Sequence, residues 1–211
     1  MSDHTVGEPR IALSPGIVRS ILRIQVFTII WMSVEAAVSL VAAGRARSPA
    51  LLAFGGDSVI ELLSASVVFL RFQSESNQEK AERLASKVAG ALLFTLSICV
   101  VLTSTLSLLG SHEPHPSFMG IAVLLGAAFI MPWLARKKRE LAAIGSSAAL
   151  RADAVESSLC GYLAWIALAG LALNAVWKKP WADPVAALVL VPIIVREGWV
   201  AIRQSRLSCD C

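Results

Sequence analysis

Long apolar stretches separated by short polar connections run through the chain. A helix needs about 20 apolar residues to cross the hydrocarbon core of a bilayer, and six stretches qualify. They are Ile21 to Ala43, Pro49 to Phe72, Leu84 to Gly110, Phe118 to Ala135, Ala148 to Val176 and Pro184 to Ile202. The pattern predicts an all-α polytopic membrane protein: one six-helix transmembrane domain over 21–203, an N-terminal segment over 1–20 and a short tail over 204–211.

The composition supports this interpretation. Of the 211 residues, 56% are hydrophobic and 16% charged, with a mean hydropathy of +0.68. A soluble domain has about 25% charged residues, and this much apolar surface cannot be hidden in one small globule. The composition therefore excludes a soluble globule, a disordered chain and, despite a pI near 9.1, a nucleic-acid-binding protein.

The basic residues predict the orientation. With the N-terminus inside, 15 of the 19 Lys and Arg residues fall in cytoplasmic segments, and the other four are Arg45, Arg47, Lys178 and Lys179. Because cytoplasmic segments are enriched in basic residues, we expect both termini in the cytoplasm. The short loops favour a bacterial inner membrane.

Ionisable side chains inside spans usually mark a binding site or a pathway. Glu61 lies ten residues before Arg71, about 15 Å deep at helical rise, and Asp57 lies one turn deeper. On the fifth span, Glu156 and Cys160 lie at a similar depth. Each pair is spaced i, i+4 and so shares one helix face. Two neighbouring helices are therefore predicted to offer three carboxylates and one thiol.

This donor set suits a divalent transition metal, because zinc takes four tetrahedral ligands from carboxylate, imidazole and thiolate. A mixed oxygen and sulfur site favours zinc and cadmium and admits lead, ferrous iron, cobalt and manganese. Without metal, carboxylates in hydrocarbon take up protons instead. A site that holds either metal or protons has the minimum machinery of a proton-coupled antiporter.

Structural roles remain open for each residue. A buried carboxylate can serve only as a hydrogen-bonding device between helices, and Cys160 can be a small packing residue. Glu35 either hydrogen-bonds across helices or relays protons. Asp153 either guides cations or pairs with Arg151 or a lysine of the basic loop 136–139. Asp183 is expected to cap the sixth helix.

Three motifs resemble the cation diffusion facilitator family. Residues 48–58 (SPALLAFGGDS) resemble the opening of that family's second helix, 149–153 (ALRAD) its fifth helix, and 181–187 (WADPVAA) the start of its sixth. The resemblance implies a homodimer that exports divalent metal, usually zinc, in exchange for protons. It places the family's helix-two ligands on Asp57 and Glu61, and its helix-five ligands on Glu156 and Cys160, with Glu35 and Asp153 as accessory candidates.

Two departures from that family follow from the residues. The spans contain no histidine, so a carboxylate, Glu61 or Glu156, is expected to replace the imidazole proton switch. The sequence also stops after the sixth helix, without the family's cytoplasmic metal-binding and dimerisation domain, which weakens the expectation of a homodimer.

Other functions stay open. They are a proton-coupled organic-cation exporter, for which only Tyr162 and Trp165 lie nearby, a metal-dependent intramembrane hydrolase and a non-transporting membrane scaffold. The spans lack the His-rich zinc site typical of such a hydrolase. We therefore expect no enzyme activity and no cofactor beyond the transported metal, and we expect the metal ion, protons and the lipid bilayer to be the interacting partners.

Overall fold

The computed structural model describes residues 15–73, 79–110, 113–145 and 147–207. These residues form six helices long and apolar enough to cross a membrane, which confirms the predicted fold class. The helices are α1 (Pro15–Ala46), α2 (Pro49–Gln73), α3 (Glu79–Leu108), α4 (Phe118–Ile144), α5 (Ala148–Trp177) and α6 (Ala182–Leu207). The predicted terminal segments 1–20 and 204–211 are described only in part, since 1–14 and 208–211 lie outside these ranges.

Local signals in the connections set several helix ends. Ser117 and Ser147 are N-caps, and their hydroxyls accept hydrogen bonds from the backbone N–H groups of Gly120 (3.1 Å) and Leu150 (3.3 Å). Each bond satisfies one of the N–H groups that the first turn of a helix leaves free. The chain reverses sharply between α1 and α2 and after α5, where Arg47 and Lys178 adopt a left-handed backbone with φ of 51°.

The fourth helix is longer than the sequence pattern predicted. We expected α4 to end at Ala135 and residues 136–139 to form a basic loop, but the helix continues to Ile144. Lys and Arg are good helix formers, and Lys137 pairs with Glu140 on the exposed side of this extension at 2.8 Å. The apolar stretch therefore marks only part of α4, and the helix itself continues beyond it.

The six helices pack as a group of four with an attached pair. The most extensive pairings are α1 with α2, α4 with α5, and α3 with α6. α2 also packs on α5, and both touch α6. In the most apolar 18-residue stretch of α2 and of α5, half of the residues are buried, against 28% in α3 and α6. The two helices that carry the predicted ligands are therefore at the centre of the molecule.

Small residues allow the helices to approach closely. A Cβ added at Gly170 of α5 would lie 2.5 Å from the Cβ of Ala186 on α6. A Cβ added at Gly90 of α3 would lie 3.0 Å from the carbonyl oxygen of Gly198 on α6. Such contacts between backbones are typical of transmembrane helices, whose association depends on close packing rather than on exclusion of water.

Asp183 has a different role from the predicted one. α6 already begins at Ala182, so Asp183 lies in its first turn. Its carboxylate accepts hydrogen bonds from the Ser48 hydroxyl (2.5 Å) and from the backbone N–H of Ala50 (3.1 Å). Asp183 thus caps the start of α2 rather than that of α6, because the close packing of the bundle brings that helix end to it.

Candidate metal-binding site

The predicted ligands lie on facing parts of α2 and α5. Glu61 is buried, with 5% of its surface exposed, and Cys160 is completely buried. Asp57 and Glu156 are partly buried. α2 packs directly on α5, so contact between these two helices is enough to bring the four side chains toward one another.

A serine joins Glu61 to the fifth helix. The Ser157 hydroxyl donates a 2.8 Å hydrogen bond to Oε1 of Glu61. Oε2 of Glu61 is buried and has no hydrogen-bond donor among the described residues. One oxygen of this carboxylate therefore positions the side chain between the two helices, while the other retains its lone pairs for a ligand.

Glu156 also has a buried oxygen without a donor. Its side chain interacts with Ser64 of α2, one turn from Glu61. Its Oε2 is buried and, within the part of the chain that the structure describes, lacks a donor. A buried acceptor without a donor is costly, and Glu61 and Glu156 each keep one such oxygen that can accept a cation or a proton.

Glu35 connects three helices at the level of Cys160. This glutamate of α1 is completely buried. Its Oε1 accepts a hydrogen bond from the Ser58 hydroxyl of α2 at 2.7 Å and lies 3.5 Å from the Cys160 sulfur. Its Oε2 accepts a hydrogen bond from the indole N–H of Trp31 at 2.6 Å. Of the two roles left open for Glu35, the structure shows hydrogen bonding across helices.

The thiol lies close to carboxyl groups of α1 and α2. It contacts Glu35 and interacts electrostatically with Glu61. Asp57 interacts electrostatically with Glu61, Glu156 and Glu35. The structure therefore brings the four predicted ligands and Glu35 into one neighbourhood.

Asp153 lies one turn before Ser157 and is paired with a lysine. Its Oδ2 is 2.9 Å from the Nζ of Lys138 and accepts a 2.7 Å hydrogen bond from the side-chain amide of Gln25. Both partners of the ion pair have completely buried side chains. Of the alternatives considered for Asp153, the structure shows pairing with a lysine of the 136–139 cluster.

We call these side chains the polar column, which draws residues from α1, α2, α4 and α5. Its contacts form two groups, one of Gln25, Asp153, Lys138, Ser157 and Glu61 and one of Ser58, Glu35 and Cys160. Across residues 15–73, 79–110, 113–145 and 147–207, no three His, Cys, Asp or Glu side chains are close enough together to hold a metal ion. Metal binding in the column therefore requires side-chain movement.

The sequence pattern did not single out four residues of this neighbourhood. Lys138 was grouped with its basic neighbours, and Gln25 and Ser157 are uncharged and attract no attention by composition. Glu197 of α6, which interacts electrostatically with Asp57, was also missed, because it stands next to Arg196 near the end of a span. Helical spacing alone could have found Lys138, since it continues the buried stripe of α4.

Comparison with known proteins settles the family. A model of the cation efflux transmembrane domain matches residues 24–208, which include all six helices apart from the start of α1. The chain belongs to the cation efflux family. This confirms the resemblance to cation diffusion facilitators, and membership supports transport of metal cations across a membrane.

A similar protein has been catalogued in a bacterium. The cation efflux domain described here is 27% identical over 129 residues to the uncharacterized transporter YdbO of Bacillus subtilis strain 168. The match covers 61% of this chain and 44% of YdbO. The chain thus spans less than half the length of that relative.

Proposed function

We propose that this cation efflux domain exports a divalent transition metal, with zinc or cadmium favoured, in exchange for protons. The metal is expected to bind Asp57, Glu61, Glu156 and Cys160, with Glu35 and Asp153 in accessory roles. The observation that carries the proposal is the pair of buried, donor-free carboxylate oxygens on Glu61 and Glu156 in the neighbourhood of the Cys160 thiol.

The donor set supports the choice of metal. Carboxylate oxygens alone would favour hard ions such as manganese, whereas a thiolate favours softer ions. Cys160 is the one soft donor in the proposed set, so the site combines three oxygens with one sulfur. Lead, ferrous iron and cobalt fit the same donors less well than zinc and cadmium, and manganese is the least favoured.

The exchange with protons follows from the surroundings of the carboxylates. In a pocket without bulk water, several anions cannot remain charged close together unless a cation accompanies them. When metal leaves, protons are the available replacement, and Glu61 and Glu156 are the proposed carriers. The buried oxygens of these two residues that lack donors can bind either species.

Transport by reconstituted vesicles tests the proposal. Purified protein in proteoliposomes should take up zinc and cadmium when a pH gradient is applied, and uptake should collapse when the gradient is dissipated. The variants Asp57→Asn and Glu156→Gln should lose at least about 90% of that uptake, because each removes a charged ligand. Glu140→Gln is the matched control, since Glu140 lies on the exposed side of α4.

Several outcomes distinguish the alternatives. Full uptake by both ligand variants would contradict the proposed site. Transport of organic cations without metal uptake would favour the organic-cation exporter, although Tyr162 and Trp165 are exposed on the outer surface rather than in the polar column. Absence of any transport by folded wild-type protein would favour the scaffold.

We further propose that the transporter is a homodimer in a bacterial inner membrane. The support is family resemblance for the dimer, and short connections and a bacterial relative for the membrane. Light scattering with the detergent contribution subtracted should give a mass of two chains. A mass of one chain in several mild detergents would contradict the dimer without affecting the proposed metal site.

A further inference from the structure

Lys138 is a lysine in a place where lysines are rarely found. Its side chain is completely buried, and among the described residues it is the one buried lysine or arginine. Fully buried lysines almost always have a partner, and removing that partner leaves an uncompensated charge. Lys138 is therefore held inside the bundle by its ion pair with Asp153.

Its ammonium group connects the ion pair to the proposed ligands. Nζ lies 2.9 Å from Oδ2 of Asp153 and donates a 2.8 Å hydrogen bond to the Ser157 hydroxyl. That hydroxyl in turn donates to Oε1 of Glu61 at 2.8 Å. The ammonium is thus separated from a proposed metal ligand by a single hydroxyl group.

The order of residues along α5 gives the position of this cation. Asp153 comes first, Ser157 one turn later and Cys160 about one turn after that. Gln25 meets Asp153, and Glu35 meets Cys160, so α1 follows the same order. Lys138 therefore lies at the end of the column near the start of α5, between that end of the bundle and Cys160.

We propose that Lys138 is a tethered cation that closes the polar column on the Asp153 side and is displaced from Ser157 by a metal ion that enters from that side. This inference rests on the proposed function. In the metal-free protein the ammonium offsets part of the negative charge that Asp153 and Glu61 bring into the bundle. An arriving divalent cation takes over that role and releases the lysine.

A tethered cation gives the column a way to distinguish divalent from monovalent ions. An ion pair in a low-dielectric interior is held strongly as long as no competing cation is present. A divalent ion interacts with the same carboxylates more strongly than an ammonium, so arrival of the metal itself can open the column. Monovalent ions, with the same charge as the lysine, have no such advantage.

Accessibility of Cys160 tests the closure directly. All other cysteines are replaced by serine (Cys99→Ser, Cys209→Ser, Cys211→Ser), and Cys160 is reacted with a small membrane-impermeant thiol reagent in vesicles of known orientation. The double variant Lys138→Gln/Asp153→Asn keeps a polar pair but removes both charges. We expect it to raise the rate of Cys160 modification about tenfold, from the side that carries Arg139 and Arg151.

Matched variants separate closure from general loosening. Lys137→Gln removes a neighbouring charge that pairs with the exposed Glu140, and it should leave the modification rate unchanged. If the double variant does not fold, Ser157→Ala decides, because it removes one anchor of the ammonium without changing any charge. Modification of Cys160 at the parent rate in every folded variant of Lys138 or Ser157 would overturn the proposal.

The readout is independent of metal transport. Protection of wild-type Cys160 by cadmium ions reports on the proposed metal site, whereas the modification rate without metal reports on closure. If cadmium protects Cys160 but the Lys138 variants do not change the modification rate, the proposed function stands and the proposed closure is wrong. The opposite pattern would retain the closure and reject Cys160 as a ligand.

Discussion

Cys160 is the one sulfur donor in the proposed site, and so the residue expected to set its preference between metals. It is completely buried and lies 3.5 Å from Oε1 of Glu35. A buried cysteine is more often a packing residue than a ligand. Its interactions with the carboxyl groups of Glu35 and Glu61 give it polar surroundings, which a cysteine that only fills space does not require.

The variant Cys160→Ser should shift the metal preference rather than abolish transport. Replacing sulfur by oxygen removes the soft donor, so cadmium uptake relative to manganese uptake should fall by about tenfold or more. The measurement is competition between the two ions in proteoliposomes. Cys99→Ser is the matched control, because Cys99 is exposed. An unchanged ratio of the two ions would contradict a sulfur ligand.

Lys138 shows how much a sequence reveals about a single side chain. The buried residues of α4 include Leu124, Ala127, Met131 and Leu134 before Lys138, at helical spacing. That stripe predicts an inward-facing position for residue 138. Composition points the other way, because four consecutive basic residues usually indicate a solvated cluster. Only the position of Asp153 on the neighbouring helix explains why the lysine is buried.

At the scale of helices, the contact of α5 with α6 depends on a missing side chain. Gly170→Ala places a Cβ 2.5 Å from that of Ala186, so the helices must separate. We expect a loss of about 1–3 kcal/mol in stability, seen as a lower midpoint of thermal unfolding in detergent.

Gly44→Ala is the control for that variant. Gly44 lies in α1, and a Cβ added there meets nothing within 4 Å. This substitution should be neutral or stabilising by up to about 1 kcal/mol, because alanine favours the helix more than glycine. Equal effects of both variants would mean that helix propensity, and not the close contact, determines the result.

The cap of α2 depends on a residue distant in sequence. Asp183→Ala leaves the buried Ser48 hydroxyl and the N–H of Ala50 without their acceptor, which should cost about 1–3 kcal/mol. Asp183→Asn retains an acceptor oxygen and should lose clearly less. The thermal midpoints of both variants decide, and an equal loss would show that the charge rather than the hydrogen bonds stabilises this helix end.

For the whole molecule, the distribution of basic residues predicts the orientation in the membrane. In a background without native cysteines, Glu140→Cys should be protected from an impermeant thiol reagent added to intact cells, and Lys179→Cys should react. Both residues are exposed. The opposite pattern would place the termini outside and contradict the positive-inside rule for this protein.

The sequence by itself determined the class of the molecule and the two helices that carry the proposed ligands. Apolar length identifies a membrane-crossing helix because the bilayer has a fixed thickness, and i, i+4 spacing identifies a shared face because helix geometry is regular. Six helices and the pairs Asp57–Glu61 and Glu156–Cys160 follow from these two regularities. Neither regularity predicts the basic end of α4, because a helix can continue beyond the apolar stretch by which it is recognised in the sequence.

Tertiary structure alone decided which side chains meet. Ser157 joins Glu61, Glu35 joins Cys160, and Asp183 caps a helix that begins more than 130 residues earlier. These partners lie on different helices, and no local regularity relates their positions. Their contacts depend on how each helix is rotated and how closely small residues such as Gly170 allow it to approach its neighbours, and these are properties of the packed bundle.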